Sequence, residues 1–174
     1  MGRPYWFRRR LAALGERYML AVPSHTTIRD LAVEPPESSG RGRPPKRPWH
    51  SVEAWCASRG EEAWRRIDVR DGAKGPLVVE VVKRRVVSRT HRRQQGDEEL
   101  LVVMRCRDRD QEQGVKGDYS LSNAALETPR WELARVAKAA HRLEECMQRS
   151  KSEAGLADYE VRHWTGWQQH QTLS

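Results

Sequence analysis

The longest regular pattern of hydrophobic positions runs from Thr128 to Gly155 and predicts one long helix. Thr128 is a favoured N-cap, Pro129 suits the first helical turn, and Gly155 can end the helix in a left-handed conformation. Apolar or small side chains recur at the spacing of one helix face, at Leu133, Val136, Ala137, Ala140, Leu143 and Met147. We therefore predict that this face of the helix is buried.

Two adjacent glutamates of this helix fall on different faces. At about 100° per residue, Glu144 and Lys151 lie almost one above the other at the edge of the apolar stripe, whereas Glu145 falls on the opposite, solvated side. A half-sheltered carboxylate near a lysine is a candidate for a metal or acid–base role. Most exposed Glu–Lys pairs contribute little, so an ordinary surface pair is the alternative interpretation.

The first part of the chain predicts a helix, a strand and a linker. Residues 3–15 predict a helix that ends at Gly15, with Arg8 to Arg10 on its polar side. Its apolar face comprises Trp6, Phe7, Leu11 and Leu14. The continuous apolar run from Tyr18 to Val22 predicts a fully buried strand. Residues 34–48 are rich in proline, glycine and serine, which predicts a linker.

Runs of β-branched residues in the middle of the chain predict a sheet. The segments 76–87 (PLVVEVVKRRVV) and 100–107 (LLVVMRCR) predict an antiparallel pair with a long polar tip. A third strand is expected near residues 116–121, before the long helix. Residues 50–66 carry Val52, Trp55, Ala63 and Trp64 at roughly helical spacing, which predicts a short covering helix. These elements together favour an α/β fold class.

Composition narrows the range of functions. A chain of 174 residues has room for one domain with a modest core. Its net charge of +8 favours a polyanionic partner, either a nucleic acid or an anionic membrane surface. It contains no run of 18 apolar residues and no apolar secretory segment at its start. Its three cysteines are far apart and form no CxxC pair, which favours a reducing cytosol.

Basic side chains concentrate at the tip of the predicted strand pair and in the linker. The linker segment from Arg41 to Pro44 resembles the core of an AT-hook, which lays arginines into the minor groove. The alternatives are a solvated linker and a sheet edge guarded by charge. We predict that DNA is contacted by Lys83, Arg84, Arg85, Arg89, Arg92, Arg93, Arg41, Arg43, Lys46 and Arg142.

Several stretches of the chain together resemble a family of mobile-element enzymes. The stretches are ERYMLAVPSHTTIRDL, GRPPKR, VKRRVV, YSLSN and HRLEECMQRSKSEAGLADYEVRHWTGWQQHQTLS. They resemble prokaryotic insertion-sequence DDE transposases, also called DDE superfamily endonucleases, in the branch of insertion-sequence family seven-hundred-and-one. The resemblance spans nearly the whole chain, and its most specific part is Glu144 with Lys151 followed by GLADYEVRHWTGW.

The resemblance implies a partial RNase H-like domain, its C-terminal part, with a β-rich insertion before the helix that carries the third acidic residue. Its segments would be a helix and core strand at 3–33, the linker at 34–48, the insertion at 49–127, and the helix of the catalytic glutamate with a following helix at 128–174.

The resemblance also implies metal-dependent chemistry. In such enzymes two aspartates and one glutamate hold two Mg²⁺ or Mn²⁺ ions for DNA strand cleavage and transfer. Glu144 would be a metal ligand, and Lys151 would approach DNA phosphate. The fuller signature of the related group is Tyr-x2-Arg-x3-Glu-x6-Lys, but Ala137 and Ala140 occupy its Tyr and Arg positions.

The two aspartates of the triad have no match in this sequence. The strand at Tyr18 to Val22 resembles the fifth of the fold, and no aspartate precedes Asp30. We therefore expect a truncated copy that binds the metal weakly and does not cut DNA alone. Its expected partners are DNA at transposon ends and a second copy or an intact transposase, in the cytoplasm at the nucleoid and not at a membrane. The alternatives are a non-catalytic DNA-binding module and an unstable pseudogene product.

Overall fold

The chain is a mixed α/β protein with an antiparallel sheet at its centre. The computed structural model describes residues 5–37, 40, 46–72, 75–90, 94–106 and 117–153, with the backbone alone at 70–72, 75–77, 141, 144 and 145. The helices are α1 (Tyr5–Ala13), α2 (Val52–Ala57), a 3₁₀ turn (Glu61–Ala63) and α3 (Arg130–Glu153). The strands are β1 (Met19–Ala21), β2 (Thr27–Asp30), β3 (His50–Ser51), β4 (Arg65–Gly72), β5 (Gly75–Arg89), β6 (Gln95–Arg105) and β7 (Gly117–Ser122).

The sheet has the strand order β1-β7-β6-β5-β2-β3, and β4 also pairs with β5. Each pairing within the described part of the chain is antiparallel. The strand β5 pairs with β6 from Glu80↔Arg105 to Arg89↔Gln95, with an irregularity between Val87 and Arg89. The predicted antiparallel pair and the third strand before the long helix are thereby confirmed. The predicted long polar tip is wrong, because Ser88, Arg89 and residues 95–99 belong to the two strands.

The two longest strands are buried on both faces. Residues 99–104 of β6 are buried one after another, and side chains of consecutive strand residues point to opposite faces. Both faces are therefore covered, which explains the continuous apolar run in this segment. One cluster of the core comprises Val22, Ile28, Val52, Trp55, Trp64, Val82, Val86, Leu101, Val103 and Leu121.

The prediction of a fully buried strand from Tyr18 to Val22 is wrong. The strand β1 is three residues long and lies at one end of the strand order, where it pairs with β7. Met19 and Leu20 are half-buried and Ala21 is exposed, whereas Val22 just beyond the strand is buried. The apolar run was therefore a poor guide to depth, because an edge strand can be apolar without being enclosed.

Helix α1 is present, but its apolar face is not the buried one. Gly15 has a positive φ of 74°, as the predicted helix end requires. Trp6 and Leu14 are 61% and 65% exposed, whereas Arg8 is only 5% exposed. The reason is a distant partner: Arg8 forms a buried ion pair with Glu99 on β6.

The Arg8–Glu99 pair is the buried centre of a polar network that also includes the half-buried Tyr18. The Arg8 Nε donates to Glu99 Oε1 at 2.6 Å, and an Arg8 Nη donates to the hydroxyl of Ser88 at 2.9 Å. The hydroxyls of Ser88 and Tyr18 donate to the Glu99 carboxylate at 3.0 Å and 2.8 Å. The network therefore joins α1 and the residue before β1 to the central strands.

The long helix is confirmed, but the burial of its apolar stripe is limited to the first turns. Leu133 and Ala134 are buried, whereas Val136, Leu143 and Met147 are each more than half exposed. The chain divides into two compact units at this point, Met1–Val136 and Ala137–Ser174. The predicted helix end at Gly155 lies outside the described residues.

We predict that removing one partner of the Arg8–Glu99 pair destabilises the fold strongly. Arg8→Met or Glu99→Gln should lower the free energy of unfolding in urea by about 3–5 kcal/mol, because the remaining buried group loses its partner. The exposed neighbour Arg9 gives the control, since Arg9→Met should change the stability by less than about 0.5 kcal/mol. Equal effects at positions 8 and 9 would contradict the importance of the pair.

We also predict that stability falls at alkaline pH. Burial, and then the negative charge of Glu99, raise the pKa of Tyr18 above its ordinary value. The unfolded chain therefore loses this proton first, so stability is complete below about pH 10 and declines as the pH rises further. Urea unfolding of Tyr18→Phe should show a smaller decline between about pH 9 and 11. An unchanged decline in this variant would exclude Tyr18 as its source.

Candidate nucleic-acid interface

The predicted DNA-contacting residues have different positions in the structure. Arg41, Arg43, Arg92 and Arg93 lie outside the described residues. Lys46, Arg89 and Arg142 are exposed, whereas Lys83, Arg84 and Arg85 of β5 are half-buried. The prediction therefore contains residues of two kinds, solvated cations and cations held within the fold.

Lys83 and Arg84 have partners inside the protein. The ammonium group of Lys83 donates to the backbone carbonyl oxygens of Leu126 and Thr128, the latter at 2.6 Å. Burial, and then the charge of Arg130, lower the pKa of Lys83. The Nε of Arg84 lies 3.5 Å from the carboxylate of the buried Asp30. Lys83 therefore stabilises the segment that leads into α3, and Arg84 contacts β2.

Four other residues form a compact cationic surface, which we call the Trp49 cluster: Arg29, Arg47, Trp49 and Arg89. The guanidinium carbons of Arg29 and Arg89 lie 4.2 Å and 5.6 Å from the centre of a Trp49 ring. Arg29 also donates from Nη1 to the side-chain oxygen of Gln95 at 3.1 Å. Two positive charges from separate strands thus lie beside one aromatic side chain, and the charge of Arg47 acts on Arg29.

Strand register explains how these residues meet. In the β2–β3 ladder Thr27 pairs with Ser51 and Ile28 with His50, so Arg29 lies opposite Trp49 one step further on. In the β2–β5 ladder Arg29 pairs with Val87, two residues before Arg89. Arg47 precedes Trp49 by two residues, and its Nε donates to the carbonyl oxygen of Val33. Its charge lies close enough to Arg29 to lower the pKa of that residue. The cluster is therefore fixed by backbone pairing rather than by sequence proximity.

The charges that shift the pKa of Arg29 are both positive. Burial lowers the pKa of Arg29, and the positive charges of Arg47 and Arg89 lower it further. Its Nε is buried and has no hydrogen-bond partner among the described residues. Arg29 nevertheless stays charged near neutral pH, because the guanidinium pKa lies far above it. Such a surface is suited to bind an anion.

The predicted metal ligand Glu144 and the lysine Lys151 both lie within α3, and of Glu144 only the backbone is described. The neighbouring stripe residues Leu143 and Met147 are exposed. Among the side chains that the structure describes, no three carboxylate, imidazole or thiol groups could together hold a metal ion.

Cys56, Cys106 and Cys146 are free thiols, and burial raises the pKa of Cys56 to about 11.

Within the described ranges, no helix is both long and apolar enough to cross a membrane. Comparisons with protein-family models, with curated proteins and with solved structures give no match to this chain.

Sequence reasoning missed three of the four residues of the Trp49 cluster. Arg29 lies on β2, which was not predicted because the strand is four residues long and only Ile28 in it is apolar. Arg47 and Trp49 flank the end of the predicted linker, directly after Lys46 and before β3. A tryptophan between basic residues at a linker end was the one signal that could have indicated them.

We predict that Lys83 contributes to stability rather than to DNA binding. Lys83→Met removes charged hydrogen bonds to two carbonyl groups and should lower the free energy of unfolding by about 1–2 kcal/mol. Lys46→Met, at an exposed position, is the control and should leave the stability nearly unchanged. Urea unfolding measures both. Unchanged stability of Lys83→Met, with weaker DNA binding, would assign Lys83 to the interface instead.

Proposed function

We propose that this chain is a transposase-derived protein that binds DNA and does not cut it alone. The observation that carries the proposal is the position of Arg29 and Arg89 beside the ring of Trp49, with the charge of Arg47 close enough to lower the pKa of Arg29. These arginines come from β2, from the end of the linker and from the end of β5. Cations gathered from separate segments form a surface on which a polyanion can release bound counterions.

The overall charge supports the same partner. The chain carries 32 lysines and arginines against 24 aspartates and glutamates. An excess of this sign attracts nucleic acid over long distances and raises the rate of encounter. Phosphate contacts of this kind position a protein on DNA without reading its sequence. The transposon ends are therefore proposed as the binding sites because of the family resemblance, and these contacts do not select them.

Descent from a transposase is supported by the resemblance of the sequence. Glu144 and Lys151 keep the Glu-x6-Lys spacing, and both lie in α3 after the strands β5, β6 and β7. This order agrees with an RNase H-like domain in which a β-rich insertion precedes the helix of the third acidic residue. The same proposal makes a second copy or an intact transposase a partner of this chain.

The metal chemistry of the intact family does not extend to the residues described here. Bound Mg²⁺ or Mn²⁺ would activate a nucleophile and stabilise the leaving oxygen. The described side chains do not fit such a site, since no three suitable ligands lie together among them.

The salt dependence of DNA binding tests the proposal. Fluorescence anisotropy with a labelled duplex should give a plot of log K against log salt concentration with a slope of about −2.7 or steeper, because three arginines each displace about 0.9 counterion. A weak, salt-independent affinity would refute DNA binding. Nicking of supercoiled DNA with Mg²⁺ or Mn²⁺ is the second arm, and we expect none. Nicking that Glu144→Ala abolishes would refute the absence of cleavage.

A further inference from the structure

The arrangement of guanidinium groups around Trp49 differs from an ordinary surface contact. Arg29 lies 4.2 Å from the ring centre, within the range of a cation–π interaction, and Arg89 lies 5.6 Å away. Two like charges so close together repel each other, and attraction to the electron-rich ring offsets part of that repulsion. Trp49 therefore contacts the guanidinium groups of both Arg29 and Arg89 in the folded protein.

A second arginine–tryptophan pair in the same protein shows how such a contact is neutralised. Arg105 lies 4.0 Å from the centre of a Trp64 ring and pairs with the carboxylates of Glu61 and Glu80. Burial lowers the pKa of Arg105, but the hydrogen bonds and charges of these glutamates outweigh burial and raise it. The counter-ions of Arg105 are therefore carboxylates of the protein itself.

The charges that act on Arg29 in the Trp49 cluster have the opposite sign to those that act on Arg105. The charges that shift the pKa of Arg29 are those of Arg47 and Arg89, and both lower it. Arg29 Nε is buried and has no hydrogen-bond partner among the described residues. An added anion close to the guanidinium groups would offset the repulsion between them.

We infer that the Trp49 cluster is a phosphate clamp, in which Trp49 positions Arg29 and Arg89 to bind the sugar–phosphate backbone of DNA. This inference rests on the proposed function and identifies the part of DNA that the surface contacts. Guanidinium groups match the geometry of phosphate oxygens and can donate two hydrogen bonds at once. Trp49 acts as a positioning residue, and Arg47 adds charge beside the clamp.

The alternative role for Trp49 is a platform on which a DNA base stacks. The guanidinium carbons of Arg29 and Arg89 already lie 4.2 Å and 5.6 Å from the ring centre, so a stacked base would compete with them for the ring. The two roles also differ in their dependence on salt. Stacking is not an ionic contact, whereas loss of a phosphate contact reduces the number of counterions released.

Trp49→Leu separates these roles because it changes no charge. We expect affinity for a labelled duplex to fall about three- to tenfold near physiological salt, and the salt slope to become shallower by about one unit. Trp131→Leu is the matched control, since Trp131 is half exposed and has Arg135 5.8 Å from its ring centre. This control should keep the affinity and slope of the parent protein.

A charge-removing pair of variants tests the clamp independently of Trp49. Arg29→Gln should make the salt slope shallower by about one unit, whereas Arg66→Gln, at an exposed position on β4, should change it much less. Urea unfolding of each variant establishes that the fold is retained. Should Trp49→Leu not fold, the comparison of positions 29 and 66 decides alone.

The possible outcomes discriminate between the two proposals. Shallower slopes for Trp49→Leu and Arg29→Gln, with unchanged controls, support the clamp. Weaker binding of Trp49→Leu at an unchanged slope means base stacking and overturns it, and so does unchanged binding of both variants. Parent protein that does not bind DNA overturns the proposed function itself, whereas binding that ignores positions 29 and 49 overturns only the clamp.

Discussion

Backbone pairing along β5 is the constraint on which the other elements depend. One edge of this strand pairs with β6 from Glu80 to Arg89, and the other edge is divided between β4 and β2. A strand of fifteen residues can have this many neighbours because its two halves act separately. The half that pairs with β2 ends in Arg89, so the position of the basic surface follows directly from the pairing of the central strand.

The fold stabilises its arginine side chains in two distinct ways, by ion pairing and by contact with an aromatic ring. Arg8 and Glu99 are both almost fully buried, so each would be costly to hold without the other and without the hydroxyls of Ser88 and Tyr18. Arg29 is held next to other cations, where an aromatic ring supplies the attraction. The first arrangement fastens a helix to the sheet. The second concentrates positive charge beside Trp49.

Local signals in the sequence predicted the elements that depend on local physics. The β-branched runs gave β5 and β6, and the helix-favouring stretch gave most of α3. Burial was harder to predict, because the partner of Arg8 is 91 residues away and no local pattern contains it. The same holds for the Trp49 cluster, since the meeting of Arg29 with Trp49 depends on the register of β2 and β3. The Glu144–Lys151 spacing is visible in sequence, but its chemical role depends on ligands that periodicity cannot supply.

The two-residue strand β3 has a consequence for how the chain can vary. Trp49 takes its position from the pairing of His50 and Ser51 with β2, not from the length of the linker before it. Insertions or deletions within residues 34–45 would therefore leave the aromatic ring and its arginines in place, at a small entropic cost for a longer loop. A shift of one residue within β3 would instead turn the ring to the opposite side of the sheet. Evolution is thus free to change the linker, while the short strand after it has almost no such freedom.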